Sequence, residues 1–425
     1  MIQKLLLEIE RRDAAKKDFY LGSLGSIVKK HRLSRNMTQE TLAKGICSNT
    51  YLSKFENNAV PINHEFIDLI MERMDLEYDN MTLPIEMLDI FEKALHCYIH
   101  DDLAQFEVVL HSAKDIDFAI LVDIARVGYH VTCGNKKEAL EISDNLYHFL
   151  SSMDSKALSV FMVFSSAAKM INHKYNEALK ILDLFNDLDS PNSDLSGIIS
   201  FQKFICYGNL GLINQCRNSA EEAKNDFIKT KNYRRLAQID LYSTIFSFYE
   251  NESTIPLSNR SFLNLLNQNE KDKYHLFMAL GSDNPFEYLQ QISKDSIYYA
   301  EALFLSCWAQ INTSKQPIYE QQKDELYQIS LNNSQGLINY HHWLVLIELK
   351  ASFDLRNFLL TNILPLAYQF ESVYLLKKLS REISKFSFTT KRYKDAIFEI
   401  YSIENEILRL QNIKKPIEMI PSQPE

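Results

Sequence analysis

Apolar residues recur at intervals of three and four positions along most of the chain, and this spacing predicts helices rather than strands. Breaks in the pattern lie mostly about 30–45 residues apart, the length of two helices and their turns. The 425 residues include only 10 glycines and 10 prolines, too few for a fold built from many short strands and tight turns. The pattern therefore predicts an all-α fold.

The predicted helices fall into regions that differ in length and spacing. We expect an amphipathic leader helix at 1–20, a compact helical unit at 21–80, a linker at 81–86, paired helices at 87–412 and a flexible tail at 413–425. The leader helix has two interpretations, a solvated helix or one that packs on the next domain or on a partner chain.

Within 21–80 the pattern predicts short helices separated by a tight turn. Thr38 is a plausible N-cap of the second helix, Lys44–Cys47 form the turn, and Ser48 caps a third helix that runs to about Asn57. A fourth helix is expected to turn four residues inward, namely Phe66, Leu69, Ile70 and Met74.

The third helix has two faces. Leu52 and Phe55 are expected to be buried, which turns short polar and amide side chains outward. Such groups can donate to and accept from base edges and phosphates in a DNA major groove. The predicted DNA-binding residues are Gln39, Ser48, Asn49, Thr50, Ser53, Lys54 and Asn57, with Lys29 and Arg35 as further phosphate contacts.

Charge is distributed unevenly along the chain. The formal net charge is −9, yet residues 26–54 hold six cations and a single acid, Glu40. A local basic patch on an acidic protein can still attract phosphates. The charge pattern therefore supports a double-stranded DNA partner for this segment.

Residues 37–43, 51–56 and Pro61 carry a resemblance to the Xre/Cro-type helix-turn-helix domain, which covers Leu24 to about Leu76. The resemblance implies DNA binding, and it implies that Glu56 is structural. The turn before Ser48 is one residue shorter than the commonest pattern, and in this it resembles the branch of peptide-pheromone regulators that includes PlcR.

Small residues recur twelve positions before an alanine in the later helices: Ser166 before Ala178, Gly208 before Ala220 and Ser384 before Ala396. Small residues at paired positions let antiparallel helices approach closely. The arrangement resembles the tetratricopeptide repeat and predicts a right-handed solenoid of degenerate helix pairs, with a generic helical bundle as the alternative.

An Xre-type domain followed by such repeats resembles the RRNPP family of cytoplasmic quorum-sensing regulators. The resemblance implies a homodimer whose concave repeat surface binds a short signalling peptide. Amides can satisfy the backbone of an extended peptide. The predicted peptide-binding residues are Gln202, Asn209, Asp240 and Thr244. The alternative is a helix-turn-helix repressor whose repeats dock a protein partner and bind no peptide.

The remaining polar and aromatic residues predict no catalytic or metal site. Six scattered cysteines without metal-ligand spacing indicate core positions in a reducing cytoplasm. The pairs His341/His342 and His96/His100 have no third ligand at suitable spacing, and aromatic stripes that include Tyr249 and Tyr298 are expected to be mostly core. We therefore expect no enzyme activity, no cofactor, no metal and no membrane span.

Overall fold

The helical spacing of apolar residues in the sequence corresponds to helices in the described part of the chain. The computed structural model describes residues 2–15, 24–57, 59–60, 64–75, 83–113, 119–187, 195–251, 260–311, 317–332, 338–390 and 393–411. Within these ranges the regular elements are helices, and no strand occurs among them. The all-α prediction is confirmed for these residues.

The chain divides into two compact units, Met1–Lys203 and Phe204–Glu425. The helices of the first unit are α1 (Ile2–Ala15), α2 (Leu24–Ser34), α3 (Gln39–Ala43), α4 (Asn49–Glu56), α5 (His64–Arg73), α6 (Leu83–His100), α7 (Leu103–Ser112), α8 (Ile120–Cys133), α9 (Lys136–Leu146), α10 (Ser155–Ile171) and α11 (Tyr175–Asp183), with 3₁₀ turns at Leu150–Ser152 and Leu184–Asp187. The helix α12 (Ser196–Asn209) contains the point of division.

The second unit continues with α13 (Ile213–Lys229), α14 (Tyr233–Asn251), α15 (Gln268–Leu280), α16 (Phe286–Leu289), α17 (Tyr299–Gln310), α18 (Pro317–Asn332), α19 (Tyr340–Glu348), α20 (Ser352–Phe358), α21 (Leu364–Gln369), α22 (Val373–Thr390) and α23 (Tyr393–Leu410). A 3₁₀ turn at Arg260–Leu265 precedes α15, and a π-helical turn at Leu359–Ile363 joins α20 to α21.

The leader helix packs within the first unit. Leu5 and Ile9 on α1 are buried, and α1 contacts the 3₁₀ turn Leu150–Ser152. Leu6 and Leu7 on its other side are exposed, Leu7 to 64%. Of the two interpretations of the leader helix, the structure supports packing within the chain.

The fourth helix of the predicted helix-turn-helix unit is α5, and its buried face differs from the expected one. Leu69 was expected inward, but it is 46% exposed, so that prediction is wrong. The buried stripe consists of Ile67, Ile70, Met71 and Met74, which follow the i, i+3, i+4, i+7 spacing of one helix face. Leu69 lies outside that stripe.

The predicted linker and tail coincide only partly with described residues. Residues 81–82 and 413–425 lie outside the described ranges, and α6 already begins at Leu83, inside the range expected to be linker. The helix-turn-helix segment α2–α5 belongs to the same compact unit as α6–α11.

Three turns repeat at nearly constant spacing. The helices α8, α10 and α12 are followed by left-handed residues Gly134 (φ +75°), His173 (φ +60°) and Gly211 (φ +66°), which are 39 and 38 residues apart. At Gly134 and Gly211 glycine meets this backbone geometry without steric cost. The regular turn spacing agrees with the expected helix pairs, and the handedness of a solenoid stays a prediction.

Close helix approaches occur at two glycines in these helices. A Cβ atom built on Gly128 of α8 would lie 2.7 Å from the Phe164 ring of α10. On Gly208 of α12 it would lie 2.2 Å from the Phe246 ring of α14. The small residue at 208 therefore admits an aromatic ring from the helix after next, as close packing requires.

Candidate functional site

The outer face of α4 is presented by a tightly packed helix-turn-helix. Ile27, Val28, Leu42, Leu52 and Phe55 are buried between α2, α3 and α4. The predicted caps are confirmed: Thr38 Oγ1 accepts from Thr41 N at 3.1 Å, and Ser48 Oγ accepts from Tyr51 N at 3.1 Å. Gly45, in the turn between α3 and α4, has φ +75°, a backbone conformation that glycine adopts without steric cost.

The polar residues at the start of α4 reach solvent. Ser48, Asn49, Thr50 and Lys54 are exposed, and Ser53 is half-buried. The free backbone N–H groups of a helix N-terminus favour anions, and the side chains add donors, acceptors and one cation. This face has the chemistry that recognition of bases and phosphates needs.

A buried ion pair fixes α4 from behind. Arg32 Nε and Nη2 donate to the two Glu56 carboxylate oxygens at 2.6 and 2.9 Å, and Gln39 Nε2 donates to Oε2 of the same carboxylate at 2.7 Å. Glu56 is fully buried. Its structural role is confirmed, and the Gln39 amide is committed to the same network.

A second polar network holds the C-terminal end of α4. The Asn57 Oδ1 atom accepts from Lys29 Nζ at 2.9 Å and from Ser151 Oγ at 2.8 Å, while Ser152 Oγ donates to the Glu56 carbonyl at 3.0 Å. Both serines lie in the 3₁₀ turn before α10. Lys29 and Asn57, expected at the DNA surface, therefore have partners inside the first unit.

Most cations of the basic segment are also engaged. Lys30 pairs with Asp123 on α8, and Arg35 donates to the Met74 carbonyl. Arg35 is nevertheless exposed, as are Lys44 and Lys54. The positive charge available at the surface is thus smaller than the sequence indicated, because part of it is neutralised by carboxylates within the fold.

Gln202, one of the predicted peptide-binding residues, lies in the core of the first unit. Its side chain is 2% exposed, with Nε2 donating to Tyr98 OH at 2.9 Å and to the Val163 carbonyl at 3.1 Å. Its Oε1 atom accepts from Ser166 Oγ at 2.6 Å. The amide is fully used in joining α6, α10 and α12.

The other three predicted peptide-binding residues lie in the second unit. Thr244 is buried, and its hydroxyl donates to the Asp240 carbonyl at 3.1 Å. Asn209 is half-buried and donates to the Ile205 carbonyl at 2.9 Å, whereas the half-buried Asp240 lies 3.9 Å from Lys224 Nζ. Asn209 and Asp240 keep part of their surface in solvent, and Thr244 does not.

One cavity in the second unit was not anticipated from the sequence. Its volume is about 440 Å³, and its lining includes Leu289, Ile292, Ser306, Gln310 and Gln322. Gln322 Oε1 accepts from Ser306 Oγ and from Gln310 Nε2, both at 2.9 Å. These hydrogen bonds join three polar side chains of the lining, which also contains the apolar Leu289 and Ile292.

Metal and membrane chemistry have no counterpart in the described ranges. No group of three or more His, Cys, Asp or Glu side chains placed to hold a metal ion occurs among those residues. None of the helices described is long and apolar enough to cross a bilayer.

Comparison with known proteins gives a distant likeness. No protein-family model and no curated protein matches the sequence. Among solved structures, the chain is similar to Bacillus thuringiensis PlcR crystallised with the peptide PapR7 and DNA, at 12% identity and a TM-score of 0.31, over 64% of this chain and 96% of that one. A TM-score this low carries no argument about function, which must come from the residues of this chain.

Proposed function

We propose that this chain is a sequence-specific transcription regulator that binds double-stranded DNA through α4. The observation that carries the proposal is the exposed start of α4, Ser48 to Thr50 with Lys54, on a helix whose back is fixed by the buried Arg32–Glu56 pair. A rigid helix with short donors and acceptors on its outer face is preorganised for a major groove.

The proposed contacts divide by chemistry. Asn49 and Thr50 contact base edges, while Ser48 and Lys54 contact phosphates beside the helix N-terminus. Ser53 lies at the margin of this face. The remaining predicted contacts, Lys29, Arg35, Gln39 and Asn57, have intramolecular hydrogen bonds, so their contribution is to hold α4 and to add charge near the backbone.

We further propose that the regulator acts as a cytoplasmic homodimer. One helix-turn-helix makes few base contacts, and two copies bound to half-sites about 34 Å apart gain affinity through effective concentration. All six cysteines are free, in keeping with a reducing compartment. The exposed Leu6 and Leu7 on α1 offer apolar surface to a second copy, alongside contacts between the repeats.

The ligand part of the proposal is a short signalling peptide bound by the repeat helices. Asn209 and Asp240 are half-buried and can each reach a peptide backbone group or side chain. Gln202 and Thr244 are placed to support the helices rather than to touch the peptide, since both side chains are buried. Binding changes DNA affinity only if the peptide prefers one of two states.

Fluorescence anisotropy with an operator selected from random duplex DNA tests the DNA-binding proposal. The triple variant Asn49→Ala, Thr50→Ala, Lys54→Ala should lose at least about 100-fold in affinity, because each good base contact contributes roughly 1–3 kcal/mol. A matched control removes the exposed Lys137 and Asn145 of α9 and should bind as wild type does. Equal affinity of the triple variant and the control would refute the assignment of α4.

The regulatory part is tested on the same duplex. Peptides from the host culture should shift the anisotropy titration of wild type, and Asn209→Ala should weaken the shift without changing affinity in the absence of peptide. A titration that responds to a host protein but to no peptide fraction would favour the repressor that docks a protein partner.

A further inference from the structure

The cavity in the second unit is lined by the helices α16, α17 and α18 and by the loop after α16. Leu289 and Ile292 contribute from α16 and this loop, and Ala302 and Leu303 contribute from α17; all four side chains are buried. Ile318 on α18 also lines the cavity and is 58% exposed. The apolar part of the lining is therefore mostly buried, and solvent reaches it beside Ile318.

The cavity is large for an unfilled space in a folded protein. Protein interiors are packed about as densely as organic crystals, and they contain few voids larger than a water molecule. A volume of about 440 Å³ lies within the range of small-molecule sites, and it is about three times that of an engineered cavity that binds benzene. The space therefore suits a molecule of roughly ten to fifteen heavy atoms.

The amide of Gln322 in this lining has its oxygen occupied and its nitrogen available. Gln322 Oε1 accepts from Ser306 Oγ and from Gln310 Nε2, both at 2.9 Å. Two donors on the same oxygen fix the orientation of the amide group. Within the described ranges Gln322 Nε2 donates no hydrogen bond. Its N–H groups can therefore donate to an acceptor atom of a molecule in the cavity.

The ionisable side chains of the lining already have partners. Lys294 Nζ lies 3.4 Å from Glu325 Oε1, and Tyr299 OH donates to the same oxygen at 2.9 Å. The Lys294 side chain is 76% exposed, so its ammonium group keeps most of its hydration. The described lining residues thus include no buried charge that requires a counter-charge, and an uncharged molecule fits this environment best.

The signalling peptide proposed above does not account for this cavity. Asn209 on α12 and Asp240 on α14, the residues proposed to contact the peptide, are not among the lining residues. The cavity is therefore a separate place in the second unit at which a ligand can bind.

We propose that this cavity binds an uncharged small molecule that has a compact apolar body and one carbonyl oxygen. The apolar body packs against Leu289, Ile292 and Leu303, while the carbonyl oxygen accepts a hydrogen bond from Gln322 Nε2. This inference goes beyond the proposed function and depends on neither DNA binding nor peptide binding.

Saturation-transfer NMR titrations of the full-length chain test the site with molecules of similar shape. Propiophenone has a phenyl ring, a short alkyl chain and a carbonyl oxygen, propylbenzene lacks the oxygen, and phenylpropanoate carries a negative charge. Wild type should bind propiophenone saturably and about threefold to tenfold more tightly than propylbenzene, because the hydrocarbon leaves the Gln322 donor without an acceptor. Phenylpropanoate should bind more weakly than both, because its carboxylate would have to lose hydration.

The variant Gln322→Glu tests the amide donor with almost no change of shape. The carboxylate still accepts from Ser306 and Gln310 but has no N–H group, so propiophenone should lose its advantage over propylbenzene. The matched control Gln321→Glu adds the same charge at an exposed neighbouring position outside the lining, and it should keep the advantage. An advantage that persists in Gln322→Glu would overturn the assignment of the carbonyl oxygen to this amide.

The variant Ala302→Leu tests the cavity itself. The larger side chain occupies part of the space and should weaken binding of propiophenone and propylbenzene at least about tenfold. Circular dichroism checks that this variant folds, and Ile318→Glu, which places a charge beside the cavity at an exposed position, gives a second test by the same loss.

Three results would overturn the cavity as a ligand site of this class. The first is unchanged binding of both molecules in a folded Ala302→Leu or in Ile318→Glu, since the molecules would then bind elsewhere. The second is the absence of saturable binding of propiophenone to wild type. The third is tighter binding of phenylpropanoate than of propiophenone, which would show that the site selects a charge.

Discussion

The outer face of α4 and the polar residues of the repeat helices contain the same kinds of side chain in opposite surroundings. Asn49 and Thr50 are exposed at the start of α4. Gln202 on α12 and Thr244 on α14 are buried and hydrogen-bonded inside their units. All four were expected to contact ligands, and two have packing roles in the structure.

The difference follows from how many sides of a helix are covered. In α4 the buried residues are Leu52, Phe55 and Glu56, on one side, so its other side must be polar and exposed. The helix α10 is buried almost all round, and its serines are satisfied internally, as Ser166 is by Gln202. Polarity therefore predicts exposure only in a helix that has a solvent side.

Of the substitutions that compare buried with exposed polar residues, Glu56→Ala should lower the free energy of unfolding the most. Glu56→Ala leaves the Arg32 guanidinium buried without its carboxylate, which should cost about 3–5 kcal/mol in the free energy of unfolding. Asn49→Ala, on the exposed side of the same helix, should stay within about 0.5 kcal/mol. Urea unfolding followed by circular dichroism measures both, and similar midpoints would contradict the one-sided burial of α4.

Gln202→Ala should be the next most damaging change. It removes the buried amide that is hydrogen-bonded to Tyr98 OH, the Val163 carbonyl and Ser166 Oγ, at a cost of roughly 1–3 kcal/mol. Asn209→Ala loses one hydrogen bond to its own helix at a half-exposed position and should cost about 0.5 kcal/mol or less. If the order of the two urea midpoints were reversed, Gln202 would not be a packing residue.

Glycine replacements sharpen the comparison within the repeat helices. Gly208→Ala places a methyl group where the Phe246 ring lies and should cost roughly 1–2 kcal/mol through overpacking. Gly134→Ala meets no atom within 4 Å, so its cost of about 1 kcal/mol comes from the left-handed backbone alone. Differential scanning calorimetry should show the larger drop in Tm for Gly208→Ala, and adding Phe246→Leu should recover part of it.

Glu301 should make the stability of the folded chain depend on pH. The folded-state pKa of about 7 exceeds the ordinary value of 4.5, so the folded chain retains this proton longer than the unfolded chain does. Stability should therefore fall as pH rises from about 4.5 to 7, relative to Glu301→Gln. Tm measured across this range in both proteins, with Glu287→Gln as the control, should show the variant gaining on wild type. A parallel pair of curves would mean that folding does not raise the pKa of Glu301.

Much of the fold follows from local sequence signals. The caps at Thr38 and Ser48, the buried Leu52 and Phe55 and the turn at Gly134 were all predictable, because caps, periodicity and left-handed glycines act over a few residues. The outward direction of Asn49, Thr50 and Lys54 followed from the same short-range pattern.

The engaged cations and amides were not predictable in this way. Lys30 meets Asp123 and Lys29 reaches Ser151, partners 93 and 122 residues away in the chain. Helical spacing contains no information about which distant residue lies opposite a side chain. The predictions made from the sequence therefore gave more exposed positive charge than the structure shows. They also placed a buried amide side chain in a ligand site.

By itself the sequence determined that the described chain is helical, where its short helices begin and which side of α4 is polar, because these properties depend on neighbours within about one helical turn. Tertiary structure decided which polar groups are hydrogen-bonded within the fold, as Gln202 and Arg32 are, and which carboxyl has its pKa raised by burial, as Glu301 has. The physical reason is that desolvation and pairing depend on what packs against a side chain, and packing brings together residues that lie far apart in the chain.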